Sequence, residues 1–192
     1  MAGDISSLLR FGTVVELDLA GARCRVAYGD PDSADGDAET DWIGWIAPRA
    51  GDMRVWSPPS EGEQVLLLCP DGQLSAAVAL PGLWRDIFPP PAAAPADLIQ
   101  WDDGAKVLYD PDASEMQITL PAGGTLEIDA PGGVTIDAPD GIVLLGDVTI
   151  MGDVNVSGRI EAQGDVVGDG VSLASHRHGG VQTGQGQSGE PQ

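Results

Sequence analysis

The chain has 192 residues and a formal charge of −21, from 30 acidic against 9 basic side chains. This balance excludes a nucleic-acid partner and docking on an anionic membrane surface, because no basic patch is available to bind phosphates. Abundant glycine (27) and proline (15) between short β-branched runs predict an all-β protein.

Neither a targeting signal nor a disulfide is expected. Residues 1–10 lack a basic start followed by an apolar core, so no secretory signal is predicted. No apolar run approaches the roughly 18 residues that a transmembrane helix needs. Cys24 and Cys69 fall inside predicted strands, and we expect buried free thiols in a protein assembled in the cytoplasm.

Residues 1–88 are predicted to form the first domain, a small barrel. Short strand candidates are separated by turn-rich segments, and the acidic stretch Asp30–Asp41 is predicted to be a mobile loop. Five short strands in so few residues fit a closed barrel, with the OB-fold topology as the leading candidate. The five candidates are Thr13–Leu17, Arg23–Tyr28, Asp41–Ile46, Gln64–Cys69 and Ala76–Leu80.

Residues 89–123 are predicted to connect this barrel to a shaft. The proline-rich run Pro89–Pro95 fixes backbone angles and removes hydrogen-bond donors, which predicts a stiff extended connector. The turn Asp102-Asp103-Gly104 is a hairpin signal. Three short strands are predicted around such turns: Leu98–Trp101, Lys106–Asp110 and Glu115–Leu120.

Residues 124–170 form a repeat of apolar pairs whose members are two residues apart. Glycine or aspartate separates most of the pairs, so each unit is predicted to be a three-residue strand with two side chains on one face, followed by a turn. The pairs are Leu126/Ile128, Val134/Ile136, Ile142/Leu144, Val148/Ile150, Val154/Val156 and Ile160/Ala162.

These units need a partner surface, because one such strand cannot bury its apolar face alone. A single-chain coil needs about three strands per turn, so the repeat would make too few coils to be stable. Three identical chains that wind together solve the problem, because each short strand then meets copies from two neighbours. We therefore predict an intertwined homotrimeric β-helix, with Ile136, Ile150 and Val156 facing the shared axis.

The C-terminal region, residues 171–192, contains the chain's two histidines, His176 and His178. On an extended strand these positions face the same side. Three chains would supply six imidazoles, an octahedral set that suits iron(II), cobalt or nickel better than tetrahedral zinc. From the residues alone, two exposed histidines in a disordered glycine-rich tail remain the alternative. The stretch Gly179–Gln192 is likewise either a disordered tail or a compact end cap.

Aromatic and acidic side chains each allow two interpretations. Trp42, Trp45, Trp56 and Trp84 could stack on bases or sugars, but the negative charge favours packing in the barrel core and at interfaces. Aspartates at the repeat turns could bind calcium, and turn chemistry with solubility is the simpler account.

The sequence resembles the baseplate assembly protein V family of contractile-tailed phages and phage-derived bacteriocins. The N-terminal match runs through WIGWIAPRAGDMRVWSPP, GEQVLLL and LPGL, which begin at Trp42, Gly62 and Leu80. The C-terminal match is SHRHGGVQTG from Ser175, with the final GEPQ from Gly189. These segments lie at both ends of the chain, and the repeat between them has the family's character.

This resemblance implies the central spike of a contractile tail baseplate. An OB-fold base would attach to the tail hub, and a trimeric β-helix would lead to a pointed apex. The resemblance selects iron as the metal, one ion per trimer held by His176 and His178 from three chains. On sheath contraction the spike would pierce the outer membrane of a Gram-negative cell, without catalysis. It would reside at the baseplate tip of the virion, after assembly in the bacterial cytoplasm.

Two other functions fit the sequence less well than the spike. Six-residue steps are also found in hexapeptide-repeat acyltransferases, which use a long single-chain coil and a histidine base. Here the coil is too short, and both histidines follow it, so no Ser-His-Asp set can be assembled. A glycan-binding adhesin predicts exposed aromatic residues near the C-terminus, whereas no aromatic residue follows Tyr109.

Overall fold

The computed structural model describes residues 7–29, 38–177, 179–180 and 184. These residues form short β-strands and two 3-10 turns, Pro70–Gly72 and Leu74–Ala76, and the described part contains no α-helix. The all-β prediction is therefore confirmed. Among the described residues, no helix is both long and apolar enough to span a membrane. Contacts divide the chain into two units, with the boundary in sequence between Ile128 and Asp129.

The described residues contain eleven strands. The first unit contains nine of them, and the second unit contains a short hairpin. They are β1 (Leu9–Asp18), β2 (Arg23–Tyr28), β3 (Ala38–Glu39), β4 (Ile43–Trp45), β5 (Gln64–Leu68), β6 (Val78–Leu83), β7 (Asp97–Gln100), β8 (Lys106–Asp110), β9 (Glu115–Thr119), β10 (Val167–Gly168) and β11 (Val171–Ser172).

Five strands of the first unit close into a barrel in the order β1-β5-β6-β4-β2, with β2 pairing back onto β1. Every pair in the ring is antiparallel except β4 with β6, which is parallel. Without the two-residue strand β3, which pairs only with β2 among the described strands, this is the OB-fold topology. The predicted OB-fold barrel is confirmed.

The alternation of side chains along the strands determines which residues form the barrel core. Successive side chains of a strand point to opposite faces, so Cys24 and Val26 on β2 and Val65 and Leu67 on β5 all reach the interior. Each of the four is fully buried. Both cysteines are free and buried, as predicted, and burial raises the pKa of the Cys24 thiol.

Four of the five predicted barrel strands have other bounds in the structure: β1 is longer at both ends, β4 is shorter at both ends, β5 ends one residue earlier, and β6 is shifted towards the C-terminus. The fifth predicted strand was placed at Ala76–Leu80, but β6 begins at Val78 because the turn Leu74–Ala76 occupies the preceding residues. It continues to Leu83 past Pro81, where the register between β5 and β6 shifts. Proline fits there because an irregular ladder position needs no backbone donor.

The predicted loop Asp30–Asp41 contains a strand that the sequence did not suggest. Ala38 and Glu39 form β3 and pair with Tyr28 and Ala27 of β2. Inside this strand pair, the hydroxyl of the buried Thr40 accepts a hydrogen bond from the backbone N–H of Val26 at 3.0 Å. Positions 30–37 lie outside the described residues.

Strands β7, β8 and β9 form a separate antiparallel sheet. The predicted turn after β7 is confirmed: Gly104 adopts a φ of 89°, and the Asp103 carboxylate accepts the N–H of Ala105 at 2.9 Å. Register places one set of apolar side chains on a common face, since Ile99 pairs with Val107 and Val107 with Ile118. Tyr109 and Met116 pair on the same face and extend it.

The repeat has no strand partner among the described residues of its own chain. Between the end of β9 and the start of β10, residues that are all described, none belongs to a strand. The eleven larger apolar side chains of the predicted pairs are each between 47% and 72% exposed. Turns do occur at the expected spacing, as where the N–H of Gly133 bonds to Ala130 and that of Gly141 to Ala138. Strand formation between copies stays a prediction.

Candidate functional site

The predicted metal site follows the hairpin of β10 and β11. Asp169 and Gly170 connect the two strands with φ angles of 48° and 77°. Positive φ at both positions is the type I′ geometry, which Asp-Gly favours in two-residue hairpins. The predicted border between shaft and apex, at residues 170 and 171, falls inside this hairpin.

A single turn joins the hairpin to the first histidine. The backbone N–H of His176 donates to the carbonyl oxygen of Ser172 at 3.1 Å, which closes a turn of the α-helical type. Inside the turn, the backbone N–H of Ser175 donates to the Ser172 Oγ at 2.8 Å. The two serine hydroxyls are also 2.8 Å apart. The turn is therefore held by both backbone and side-chain hydrogen bonds.

Asp165 ties the start of the hairpin to this turn. Its Oδ1 accepts the backbone N–H of Ala174 at 3.0 Å, across nine residues of sequence. The side chain of Ser172, followed by the N–H of Ala174, lowers the pKa of Asp165 below its ordinary value. The carboxylate is exposed and stays charged at neutral pH.

The imidazole of His176 is held by the same carbonyl. Its Nδ1 lies 2.8 Å from the backbone oxygen of Ser172. A carbonyl oxygen can only accept, so Nδ1 carries the proton and, in the neutral ring, Nε2 carries the lone pair. Metal-ligating histidines commonly donate their other ring nitrogen to a carbonyl or carboxylate in this way. The donor chemistry of His176 therefore fits a metal ion.

The second predicted ligand, His178, lies outside the described residues. Within the described part of a single chain, no group of three His, Cys, Asp or Glu side chains could hold a metal. The predicted site draws its ligands from three chains, so this single-chain observation leaves the iron prediction open. The structure places His176 at the end of a hydrogen-bonded turn and brings it together with Ser172.

The supporting residues Asp165, Ser172 and Ser175 were not singled out from the sequence. In the sequence, Gly164-Asp165 is one of the glycine and aspartate steps of the repeat. The available signal was Asp169-Gly170 between Val167 and Val171, because an Asp-Gly dipeptide flanked by β-branched residues predicts a hairpin.

The tryptophans of the barrel are mostly at the surface. Only Trp45 packs against the buried core, and its ring lies 5.5 Å from that of Trp56. Trp56 and Trp84 are 61% and 64% exposed, so placing these two in the barrel core was wrong. Trp84 directly follows β6 and Trp56 lies between β4 and β5, and an interface role for them stays a prediction. The guanidinium of Arg23 lies 5.8 Å from the ring centre of Trp42.

Comparison with known proteins agrees with the two ends of this architecture. A family described as the type VI secretion system and phage-baseplate injector OB domain matches residues 10–84, which contain the barrel. The GpV Apex motif matches residues 170–192, which contain both histidines. The spike protein of Escherichia phage P2 is 38% identical over 120 residues, which cover 62% of this chain and 54% of that protein. The chain thus matches about half the length of this curated relative.

Proposed function

Because the chain belongs to the central spike family of phage tail baseplates, we propose that it is the spike at the distal end of a contractile tail. Three copies form the spike, which pierces the outer membrane of a Gram-negative cell when the sheath contracts. It acts mechanically and without catalysis, at the baseplate tip of the virion, after assembly in the host cytoplasm.

The exposed repeat carries this proposal. Monomeric soluble proteins rarely leave a large contiguous apolar surface in water. Here the apolar pairs from Leu126 to Ile160 have no partner strand among the described residues of the chain. Burying one Val, Leu or Ile side chain stabilises a structure by about 1.5 to 3 kcal/mol. Winding three chains together would bury these pairs around one axis and supply the missing strand partners.

The sheet of β7, β8 and β9, which lies N-terminal to the repeat in sequence, also exposes an apolar face. Its face of Ile99, Val107, Tyr109, Met116 and Ile118 is apolar, and three of these side chains are more than half exposed. This face precedes the repeat directly in sequence. We therefore assign it to the start of the trimeric shaft.

The tip would hold an iron ion between three chains. His176 and His178 of each copy supply six imidazole nitrogens, and the bond from His176 Nδ1 to Ser172 leaves Nε2 as its ligand atom. An ion saturated by six ligands would cross-link three chain ends and offer no open position to a substrate. The protein's residues thereby hold a narrow apex together where little apolar area is available.

The barrel is the hub-binding end. Its surface exposes large apolar side chains, among them Phe11, Trp56, Trp84 and Ile87. Large apolar side chains that are left exposed favour a contact with another protein. A pull-down with the tail hub tests the assignment: the full chain is expected to bind, and a fragment that begins at Asp97 is not. Hub binding by the fragment would place the contact in the wrong domain.

The unpaired repeat also counts against the acyltransferase-like alternative. A single-chain coil pairs each strand with one from the next coil, whereas residues 120–166, which are all described, contain no strand. No observation favours the adhesin.

Membrane piercing is tested with particles that carry this chain. Target cells contain a periplasmic β-lactamase, so the outer membrane limits hydrolysis of an added chromogenic substrate. Wild-type particles are expected to raise hydrolysis on contraction, and particles with His176→Ala spikes to raise it less, because the apex is frayed. Equal hydrolysis from contracting and from pre-contracted particles would contradict the piercing role.

A further inference from the structure

The carboxylate of Asp165 makes a bond that its place in the repeat does not explain. The other turn aspartates of the repeat separate one apolar pair from the next, but Asp165 accepts a hydrogen bond from Ala174, beyond the hairpin. Ala174 lies inside the turn whose first residue, Ser172, holds the His176 ring through its carbonyl oxygen. One exposed side chain thus contacts the turn that ends at the candidate ligand.

Ser172 holds the same turn in two ways. Its hydroxyl group accepts the N–H of Ser175, which orients the turn. Its carbonyl oxygen accepts both the backbone N–H and the Nδ1–H of His176, at 3.1 and 2.8 Å. The backbone bond fixes the position of the residue, and the ring bond fixes the orientation and tautomer of the imidazole.

We propose that Asp165 and Ser172 are positioning residues for His176, which select the Nδ1–H tautomer before any metal binds. The inference rests on the proposed metal-capped apex. A ligand that is already oriented loses less conformational freedom on binding. Partners that support metal ligands in this manner typically change metal affinity by about 10- to 100-fold when they are removed.

The tautomer can be read directly in the metal-free full-length protein. The chain has two histidines, so labelling with 15N-histidine gives a spectrum with few ring signals. At mildly alkaline pH, the wild-type His176 signals are expected to be those of the Nδ1–H form. Asp165→Ala is expected to give a mixture of both tautomers, and Asp153→Asn, at an exposed repeat turn, to leave the wild-type pattern.

Metal retention provides the second readout. Protein loaded with iron(II) is challenged with excess chelator, and Asp165→Ala is expected to release the metal about 10 to 100 times faster than Asp153→Asn. Ser172→Ala is expected to accelerate release, and Ser172→Thr, which restores the hydroxyl, to reverse most of that effect. This rescue separates positioning from a general loss of folding.

The two measurements test the positioning of His176 separately from metal binding at the apex. A wild-type His176 in the Nε2–H form, or unchanged tautomer and release rate in both Asp165→Ala and Ser172→Ala, would overturn it. If Asp165→Ala fails to fold, the Ser172 pair decides the same question. A wild-type protein that binds no metal but shows the Asp165-dependent tautomer would reject the metal-capped apex and retain the positioning effect.

Discussion

The barrel and the repeat use one sequence pattern with opposite results. In both regions apolar side chains alternate, as Val65 and Leu67 do on β5 and as Val148 and Ile150 do in the repeat. The barrel strand is paired on both edges within its own chain, and its inward side chains are fully buried. The repeat segment has no strand partner in the part of the chain that the structure describes, and its side chains stay exposed. Alternation therefore specifies a buried face but not which chain covers it.

A charge introduced into the repeat is expected to have the largest effect, which is on assembly of the trimer. In the trimer, Ile150→Asp would bury an unpaired carboxylate in each of three copies, at several kcal/mol per copy. The variant is expected not to assemble in sedimentation velocity, with its barrel still folded by circular dichroism.

The neighbouring residue provides the matched control. Thr149 lies on the opposite side of the alternation, so Thr149→Asp should assemble like the wild type. Equal behaviour of the two variants would mean that the faces of the repeat have been assigned wrongly.

A cavity in the barrel should have a smaller effect of a different kind. Leu67 is fully buried, so Leu67→Ala is expected to lower the free energy of unfolding of the barrel by about 2 to 5 kcal/mol. Since its contacts lie within one chain, the loss should not depend on protein concentration. Urea titrations of the variant, with the half-exposed Leu9→Ala as control, check this. A concentration-dependent loss would show that the barrel core also needs the other copies.

Loss of the tip ligands should affect only the end of the shaft. His176→Ala removes three imidazoles from the trimer and is expected to abolish metal binding, while the trimer remains assembled. Elemental analysis of untagged protein measures the metal, with one iron ion per three chains expected in the wild type. Arg177→Ala, which keeps both histidines, should retain it. Full metal occupancy in His176→Ala would contradict the assignment.

The smallest expected effect lies at the turn between β1 and β2. The Arg23 side chain and the Gly21 N–H hydrogen-bond with Asp18 and lower its pKa. A lowered folded-state pKa contributes stability above the unfolded value of about 3.9, and the contribution is lost as pH falls through the folded pKa. Asp18→Asn should therefore destabilise the barrel slightly at pH 7 and progressively less on acidification. Thermal melts across that range measure it, and a constant difference would rule out the ionised carboxylate as the cause.

Regular alternation allowed much of the barrel to be predicted. The predicted bounds of β2 and β8 agree with the structure residue for residue. The strand β3 could not be found, because two residues are too short for a pattern and Ala38-Glu39 has no strand preference. The start of β6 was missed because the 3-10 turn before it uses the same small residues.

At the tip, residue type identified the histidine but not its environment. His176 stood out because histidine is rare in this chain. The bond from its ring to Ser172, and the contact of Asp165 with Ala174, depend on how the turn after the hairpin closes. No spacing rule gives that geometry. The hairpin itself was predictable from Asp169-Gly170.

Native mass spectrometry of the full, untagged chain tests the central claim most directly, that the repeat is completed by other copies of the same chain. We expect a single assembly of three chains at micromolar concentration, with no free monomer in equilibrium with it. A compact monomer, or an assembly of two or four chains, would contradict it.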